Sequence, residues 1–221
     1  MHSAVTDGRW RLIAVVGLAL AIRNGPGAAA GSAQAVRTPV IVAFGDSLTS
    51  GPGLQRDQTY PALLQRKIAE KGYKFRVVNA GASGDTSTRA LRRLDNVLVA
   101  DTRVLILAMG INDGLRGVPL ATVERNLTTV IERARSRNIA VLLCQMEAPP
   151  VNGFSYTVEF HRLFARLAAR YEVPLVPFFL YGVAGHTELN QPDGIHPNAE
   201  GHKLIAETVW TYLEPLLRQA D

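Results

Sequence analysis

The fold can be inferred from one segment, Val40-Ile41-Val42-Ala43-Phe44-Gly45-Asp46-Ser47. Its first five residues are apolar without polar alternation, which is typical of a strand in a parallel sheet covered on both faces. A glycine, a carboxylate and a hydroxyl follow at once. Reactive groups in such sheets lie in loops at the carboxyl ends of the strands. The segment therefore predicts a buried strand and, directly after it, part of a site.

Four more apolar runs follow along the chain. They cover residues 75–78, 104–109, 139–143 and 173–178. Between them, apolar residues recur at helical spacing, as over residues 120–134 and 160–171. Strands that alternate with helices, joined by right-handed crossovers, predict an α/β fold. We expect a three-layer α/β/α sandwich around a five-stranded parallel sheet, with flavodoxin-like topology.

The N-terminal residues differ in composition from the rest. Two arginines precede an uncharged apolar run, residues 12–22, and a stretch of small residues follows. This order is typical of a secretory signal peptide, and Ala33-Gln34-Ala35 offers a cleavage site. The run is shorter than the roughly 20 residues that span a bilayer. We expect a signal peptide over residues 1–35 and a periplasmic or secreted domain over residues 36–221, with a retained N-terminal anchor as the alternative.

Composition argues against several classes of function. The formal net charge is +5, but the basic residues are scattered, without the basic stripe and interleaved aromatics of a nucleic-acid protein. Cys144 is the only cysteine, so an intrachain disulfide and a thiolate metal cluster are both excluded. A metallohydrolase is an alternative, but its histidines lack metal-ligand spacing. Those histidines are His161, His186, His196 and His202. We expect a monomer that acts on a small molecule without a metal.

Ser47 is a candidate nucleophile because of its position. It follows the predicted strand and would lie near a helix N-terminus, where free N–H groups and the helix dipole favour a developing oxyanion. The alternative is a serine that only caps the helix. The segment is not a G-x-S-x-G elbow, since Asp46 precedes the serine and Gly51 is too distant.

Asp193 and His196 are candidates for the base. They lie three residues apart, and Pro197 fits the first turn of a C-terminal helix, so His196 would cap that helix or just precede it. A carboxylate at this spacing can hold Nδ1–H and leave Nε2 free to take a proton from a serine hydroxyl. The alternative is a structural loop pair without chemistry.

Gly84 and Asn112 follow the second and third predicted strands and are candidate oxyanion donors. Glycine lets a backbone N–H approach a substrate closely, and an asparagine side chain adds a directed donor. Both residue types also favour turns, so turn chemistry alone is the alternative for each.

The candidate residues lie in four short sequence motifs, or blocks, along the chain. They are Gly45-Asp46-Ser47-Leu48, Ser83-Gly84-Asp85-Thr86, Gly110-x-Asn112-Asp113 and Asp193-Gly194-Ile195-His196-Pro197. Together they closely resemble the GDSL or SGNH hydrolase family, over nearly the whole predicted mature chain. The resemblance implies Ser47 as nucleophile, His196 as general base and acid, and Asp193 as the residue orienting His196. It also implies an oxyanion hole of Ser47 N–H, Gly84 N–H and the Asn112 side chain, and no cofactor.

The residues in and around these blocks are most similar to those of the bacterial thioesterase I, protease I and lysophospholipase branch of the family, which includes arylesterases. Membership of that branch implies a periplasmic enzyme that hydrolyses acyl esters and thioesters. A flavodoxin-like binding module is the non-enzymatic alternative. It needs a phosphate-binding loop after the first strand, and the acid in Gly45-Asp46-Ser47 suits a phosphate poorly.

Two apolar loops follow the fourth and fifth predicted strands on the same edge of the sheet. Their candidate substrate-binding residues are Pro149, Phe154, Phe178, Phe179 and Leu180. An acyl chain requires an apolar groove of this kind. Alternatively, the aromatics complete the core beneath a loop. A carbohydrate O-deacetylase, the enzymatic alternative, would instead need a small polar pocket.

Overall fold

The computed structural model describes residues 37–220, so the predicted signal peptide, residues 1–35, lies outside the described residues. The strands are β1 (Val40–Gly45), β2 (Arg76–Gly81), β3 (Thr102–Ala108), β4 (Ala140–Cys144) and β5 (Leu175–Val176). The helices are α1 (Ser47–Ser50), α2 (Tyr60–Glu70), α3 (Ser87–Val97), α4 (Ile111–Arg116), α5 (Leu120–Arg135), α6 (Phe154–Tyr171) and α7 (Ala199–Ala220). None of these helices is long and apolar enough to cross a membrane.

All five strands are parallel and form one sheet in the order β2-β1-β3-β4-β5. Helix α2 packs against α7, whereas α3, α5 and α6 pack in sequence as a second layer. The predicted three-layer α/β fold is confirmed, and the strand order is the flavodoxin-like one. Strand β1 is buried along its whole length because both of its faces are covered.

Strand β2 lies at the edge of the sheet and is only partly buried. An edge strand leaves backbone N–H and C=O groups without a neighbouring strand. The side chain of Gln65 on α2 pairs with two of them: Nε2 donates to the Phe75 carbonyl at 3.1 Å, and Oε1 accepts from the Val77 N–H at 2.7 Å. The edge is therefore partly covered by a side chain of the same domain.

The fifth strand is shorter than its apolar run indicates. The run over residues 173–178 predicts a strand, but β5 contains two residues only, Leu175–Val176. Pro174 and Pro177 flank these residues, and proline cannot donate to a strand ladder. Phe178 then turns the chain with a φ of +31°. The loop that follows β5 therefore begins two residues earlier than the apolar run indicates.

The last helix begins later than predicted. Asn198 caps α7, since its Oδ1 accepts the N–H groups of Glu200 at 3.0 Å and Gly201 at 3.1 Å. The prediction that Pro197 lies in the first turn is therefore wrong. His196 belongs to a loop, and a β-bridge between Asn190 and Pro197 holds that loop. The side chain of His196 is thereby free of any capping role.

Candidate active site

Ser47 is the first residue of α1, directly after the carboxyl end of β1. Asp46 is the cap of this helix, because its Oδ1 accepts the Leu48 N–H at 3.0 Å. The Ser47 hydroxyl is thus not used as a cap, and its Oγ lies 2.9 Å from Nε2 of His196. The first-turn position also leaves the Ser47 N–H without an acceptor within the helix.

The carboxyl group of Asp46 is fully buried behind Ser47. Its Oδ2 has no hydrogen-bond partner among the described residues. Burial raises the pKa of Asp46 to about 7, and the nearby carboxylates of Asp113 and Asp85 act in the same direction. The group preceding the serine is therefore far easier to protonate than an ordinary aspartate.

The carboxylate of Asp193 contacts both the ring and the backbone of His196. Its Oδ2 lies 2.6 Å from Nδ1 of His196, and its Oδ1 accepts the N–H groups of Ile195 and His196 at 2.9 Å each. The hydrogen bond with the His196 ring makes the largest contribution, and the backbone hydrogen bonds add to it. Together they lower the pKa of Asp193 to about 2. The ionised carboxylate holds the proton on Nδ1, so Nε2 faces Ser47 as an acceptor.

Gly84 and Asn112 lie on the other side of the serine, after β2 and β3. Gly84 has a φ of +76°, a conformation that favours glycine, and its carbonyl accepts from Nη2 of Arg116 at 3.3 Å. The Nδ2 of Asn112 donates to the Asp85 carbonyl at 3.0 Å, which leaves its second hydrogen unused by that bond. The side chain of Asn112 also lines the groove that contains Ser47 and His196.

Arg93 connects three of these segments. Its Nε donates to the buried carboxylate of Asp85 at 2.7 Å, and its Nη atoms donate to the carbonyls of Ala80 at 2.7 Å and Gly45 at 2.8 Å. The ends of β1 and β2 and the loop carrying Gly84 are thereby joined. Sequence reasoning missed Arg93, because no feature of the sequence separates it from the other arginines of α3.

Asp113 holds the segment that carries Asn112. Its two oxygens accept from the hydroxyl of Ser87 at 2.7 Å and from the N–H of Ser87 at 2.8 Å. Asn126 of α5 donates in turn to the Ser87 hydroxyl at 3.0 Å. Burial raises the pKa of Asp113. This network was also missed from the sequence, although Asp113 stands beside a predicted site residue.

An apolar groove of about 520 Å³ opens beside Ser47 and His196. Of the predicted substrate-binding residues, Pro149, Phe178 and Leu180 line it. Phe154 does not; it is 78% exposed at the start of α6. Phe179 is fully buried and packs edge-on against Tyr60, so it belongs to the core. Further apolar lining residues were not predicted, namely Leu48, Ile111, Leu115, Ala184 and Ile195.

A somewhat larger hollow, of about 590 Å³, lies beside α2 and β2. Its lining includes Arg56, Gln65 and Asn79 but neither Ser47 nor His196. Size alone would therefore favour this hollow, whereas the distances between the polar groups place the candidate site in the apolar groove.

The histidines have separate partners. Nδ1 of His161 lies 2.8 Å from Glu147, and Nδ1 of His186 lies 3.2 Å from Glu188. His202 is buried, and its Nδ1 accepts the Tyr60 N–H at 3.1 Å. Within residues 37–220, no group of three or more His, Cys, Asp or Glu side chains is placed to hold a metal ion.

An α/β/α sandwich that brings a serine, a histidine and an aspartate together at the carboxyl edge of its sheet has the architecture of a serine hydrolase. The chain belongs to the GDSL-like Lipase/Acylhydrolase family, whose model matches residues 43–204. The resemblance found in the sequence is confirmed, as is the prediction of an enzyme that hydrolyses ester bonds.

Individual relatives match most of the chain. Esterase TesA of Pseudomonas aeruginosa is 40% identical over 185 residues, which is 83% of this chain and 92% of that protein. Thioesterase 1/protease 1/lysophospholipase L1 of Escherichia coli K12 is 35% identical and covers 83% of this chain and 88% of its own length. The crystal structure of TesA matches with a TM-score of 0.76 at 40% identity, over 80% of this chain and 99% of that one.

Proposed function

We propose that the protein hydrolyses acyl esters and thioesters through an acyl intermediate on Ser47. The observation that carries this proposal is that His196 contacts both other residues. Its Nδ1 lies 2.6 Å from Oδ2 of Asp193, and its Nε2 lies 2.9 Å from Oγ of Ser47. These distances lie in the hydrogen-bonding range that a nucleophile and its base require. Asp193 orients the imidazole and stabilises its charged form.

The reaction has two acyl-transfer steps. His196 takes the hydroxyl proton as Oγ of Ser47 attacks the carbonyl carbon of the ester. The N–H groups of Ser47 and Gly84 and the Nδ2 of Asn112 stabilise the tetrahedral oxyanion. The imidazolium then gives its proton to the leaving alcohol or thiol as the carbon–oxygen or carbon–sulfur bond breaks. A water molecule, deprotonated by His196, releases the acid from Ser47 by the same route.

The groove supports an acyl substrate rather than an acetylated carbohydrate. Its wall is mainly apolar, with Pro149, Phe178 and Leu180 on the side of β4 and β5. A volume of about 520 Å³ exceeds the need of an acetyl group and is within the usual range of small-molecule sites. The names of the relatives, which include an esterase, an arylesterase and a thioesterase, support the same substrate class.

The proposal includes export of the enzyme. The order of arginines, apolar residues and small residues before Ala35 supports secretion to the periplasm or beyond, with cleavage near Ala35. We propose a monomer for the exported domain. N-terminal sequencing of the protein recovered from the producing cells tests the cleavage point, and a retained residue 1 would contradict it.

The substrate class is tested by hydrolysis of p-nitrophenyl esters from acetate to palmitate, with Ser47→Ala in parallel. We expect activity to peak at medium or long chains and to vanish in the variant. A peak confined to acetate would favour the deacetylase alternative with Ser47 retained. Equal rates for both proteins would overturn the assignment of Ser47.

A further inference from the structure

The groove has one charged feature that acyl transfer does not use. Glu147 is the only carboxylate among the described residues that line it. Its side chain is 28% exposed, and the residues on both sides of it, Met146 and Ala148, are buried. A carboxylate in a residue that lines an apolar groove is costly to desolvate when an uncharged chain fills that groove. Its presence therefore favours a ligand that offers a compensating charge.

The carboxylate is held in place. Nε2 of Gln145 donates to Oε1 of Glu147 at 2.8 Å, and Nδ1 of His161 lies 2.8 Å from the same oxygen. Gln145 is itself fixed, since its N–H donates to the Val176 carbonyl at 3.0 Å. Oε1 of Glu147 thus orients the group, and Oε2 takes part in neither of these contacts.

An aromatic residue lines the same groove. Phe178 lines the groove, and the N–H of the next residue, Phe179, donates to the Gln145 carbonyl at 2.8 Å. The segments carrying Glu147 and Phe178 are therefore tied to each other. Phe178 has a φ of +31°, which is uncommon for a bulky residue and persists only where its surroundings hold it. A carboxylate and an aromatic face together are the elements that recognise a substituted ammonium group.

We propose that Glu147 and Phe178 form a subsite for a substituted ammonium group carried by the substrate, at some distance from the reacting carbonyl. This inference rests on the proposed ester hydrolysis and names the polar part of its substrate. The cation can belong to the acyl chain or to the leaving group.

Two matched substrate pairs distinguish these sources. The first pair comprises p-nitrophenyl esters whose acyl chains, of graded and equal length, end in trimethylammonium or in its uncharged isostere tert-butyl. The second comprises a thiocholine ester and the corresponding 3,3-dimethylbutyl thioester. The value of kcat/KM is measured for the full-length chain, for Glu147→Gln and for the control Glu159→Gln. Glu159 pairs with Arg162 and Arg166 on α6 and does not line the groove.

We expect the wild type to prefer the cationic member of one pair, and Glu147→Gln, which removes the Coulomb attraction of the carboxylate, to lower that ratio about tenfold. Glu159→Gln should leave the ratio unchanged. Phe178→Leu, which removes the aromatic face but keeps an apolar side chain, should lower it about threefold. Because each ratio is taken within one variant, a general loss of folded enzyme cancels.

Equal ratios in the wild type and Glu147→Gln for both pairs would overturn the subsite while leaving ester hydrolysis intact. Failure of the proposed function has a different result, because the wild type would then hydrolyse the uncharged esters no faster than Ser47→Ala. That result would remove the subsite proposal as well.

Discussion

The two sides of the active site are held in different ways. The side with Asp193 and His196 depends on local contacts, since the Asp193 carboxylate binds groups at most three residues away and is 45% exposed. The side with Ser47, Gly84 and Asn112 depends on distant ones. Arg93 reaches Gly45 across 48 residues, and Asp113 reaches Ser87 across 26. The contacts of the proposed base can thus be predicted from a short motif, whereas the proposed oxyanion side is held by contacts between residues far apart in the sequence.

The largest effect should come from Ser47→Ala, where the two sides meet. We expect kcat to fall by about 10⁴-fold or more, because no other group replaces the nucleophile. Thermal unfolding should be unchanged, since Asp46 rather than Ser47 caps α1. The control Ser50→Ala removes a hydroxyl one turn later, 2.9 Å from that of Ser83, and should keep most of the activity. Strong residual activity in Ser47→Ala would contradict the assignment.

Asn112→Ala tests the oxyanion side alone. Loss of one donor should reduce kcat by about 10²–10³-fold with little change in KM, because the bond strengthens in the transition state. The exposed Asn96 on α3 provides the control, and Asn96→Ala should behave as the wild type. A change confined to KM would show that Asn112 binds substrate without stabilising the oxyanion.

Arg93→Met tests whether distant contacts hold the oxyanion side. The variant leaves the buried Asp85 carboxylate without its closest cation, so we expect a loss of about 3 kcal/mol in the free energy of unfolding. Urea unfolding measures the loss. Arg92→Met, at an exposed neighbouring position, should cost less than about 0.5 kcal/mol. Similar values for both variants would mean that Arg93 does not hold the site together.

Two of the site aspartates, Asp46 and Asp193, should respond to pH in opposite ways. Asp46 has a pKa raised to about 7, above the ordinary 3.8, so it stabilises the fold in acid and loses that contribution as pH rises between these values. The slope is at most about 1.4 kcal/mol per pH unit. Asp193 has a pKa lowered to about 2, so its contribution is present above about pH 4 and is lost as pH falls towards 2.

Unfolding free energies of Asp46→Asn and Asp193→Asn, measured from pH 2 to pH 8, test this contrast. The stability of Asp46→Asn relative to the wild type should rise between about pH 4 and 7. The relative stability of Asp193→Asn should fall between about pH 2 and 4. Parallel curves for Asp46→Asn and the wild type would place the Asp46 carboxyl in a more polar environment than its burial indicates.

The sequence predicted the fold well where apolar runs were long and predicted it less well at their ends. Residues 40–44 lie in β1, which is buried throughout, as their apolar composition indicates. Residues 104–108 lie in the buried part of β3, and residue 109 directly follows that strand. The run over residues 173–178 gave a strand of two residues, because prolines interrupt the ladder. Asn198 caps the last helix, a role that was one of two alternatives for His196, since both residues lie near the start of that helix and only backbone geometry distinguishes them.

By itself the sequence determined the order of strands and helices, the loops that carry Ser47, Gly84, Asn112 and His196, and the family. Periodicity and short motifs record such features, because they depend on neighbours along the chain. The tertiary structure alone decided which side chains support or line the site. It buried Phe179 in the core, placed Glu147 in the groove and brought Arg93 to Asp85. Those outcomes depend on how the crossover helices pack onto the sheet, and residues far apart in sequence meet only when that packing forms.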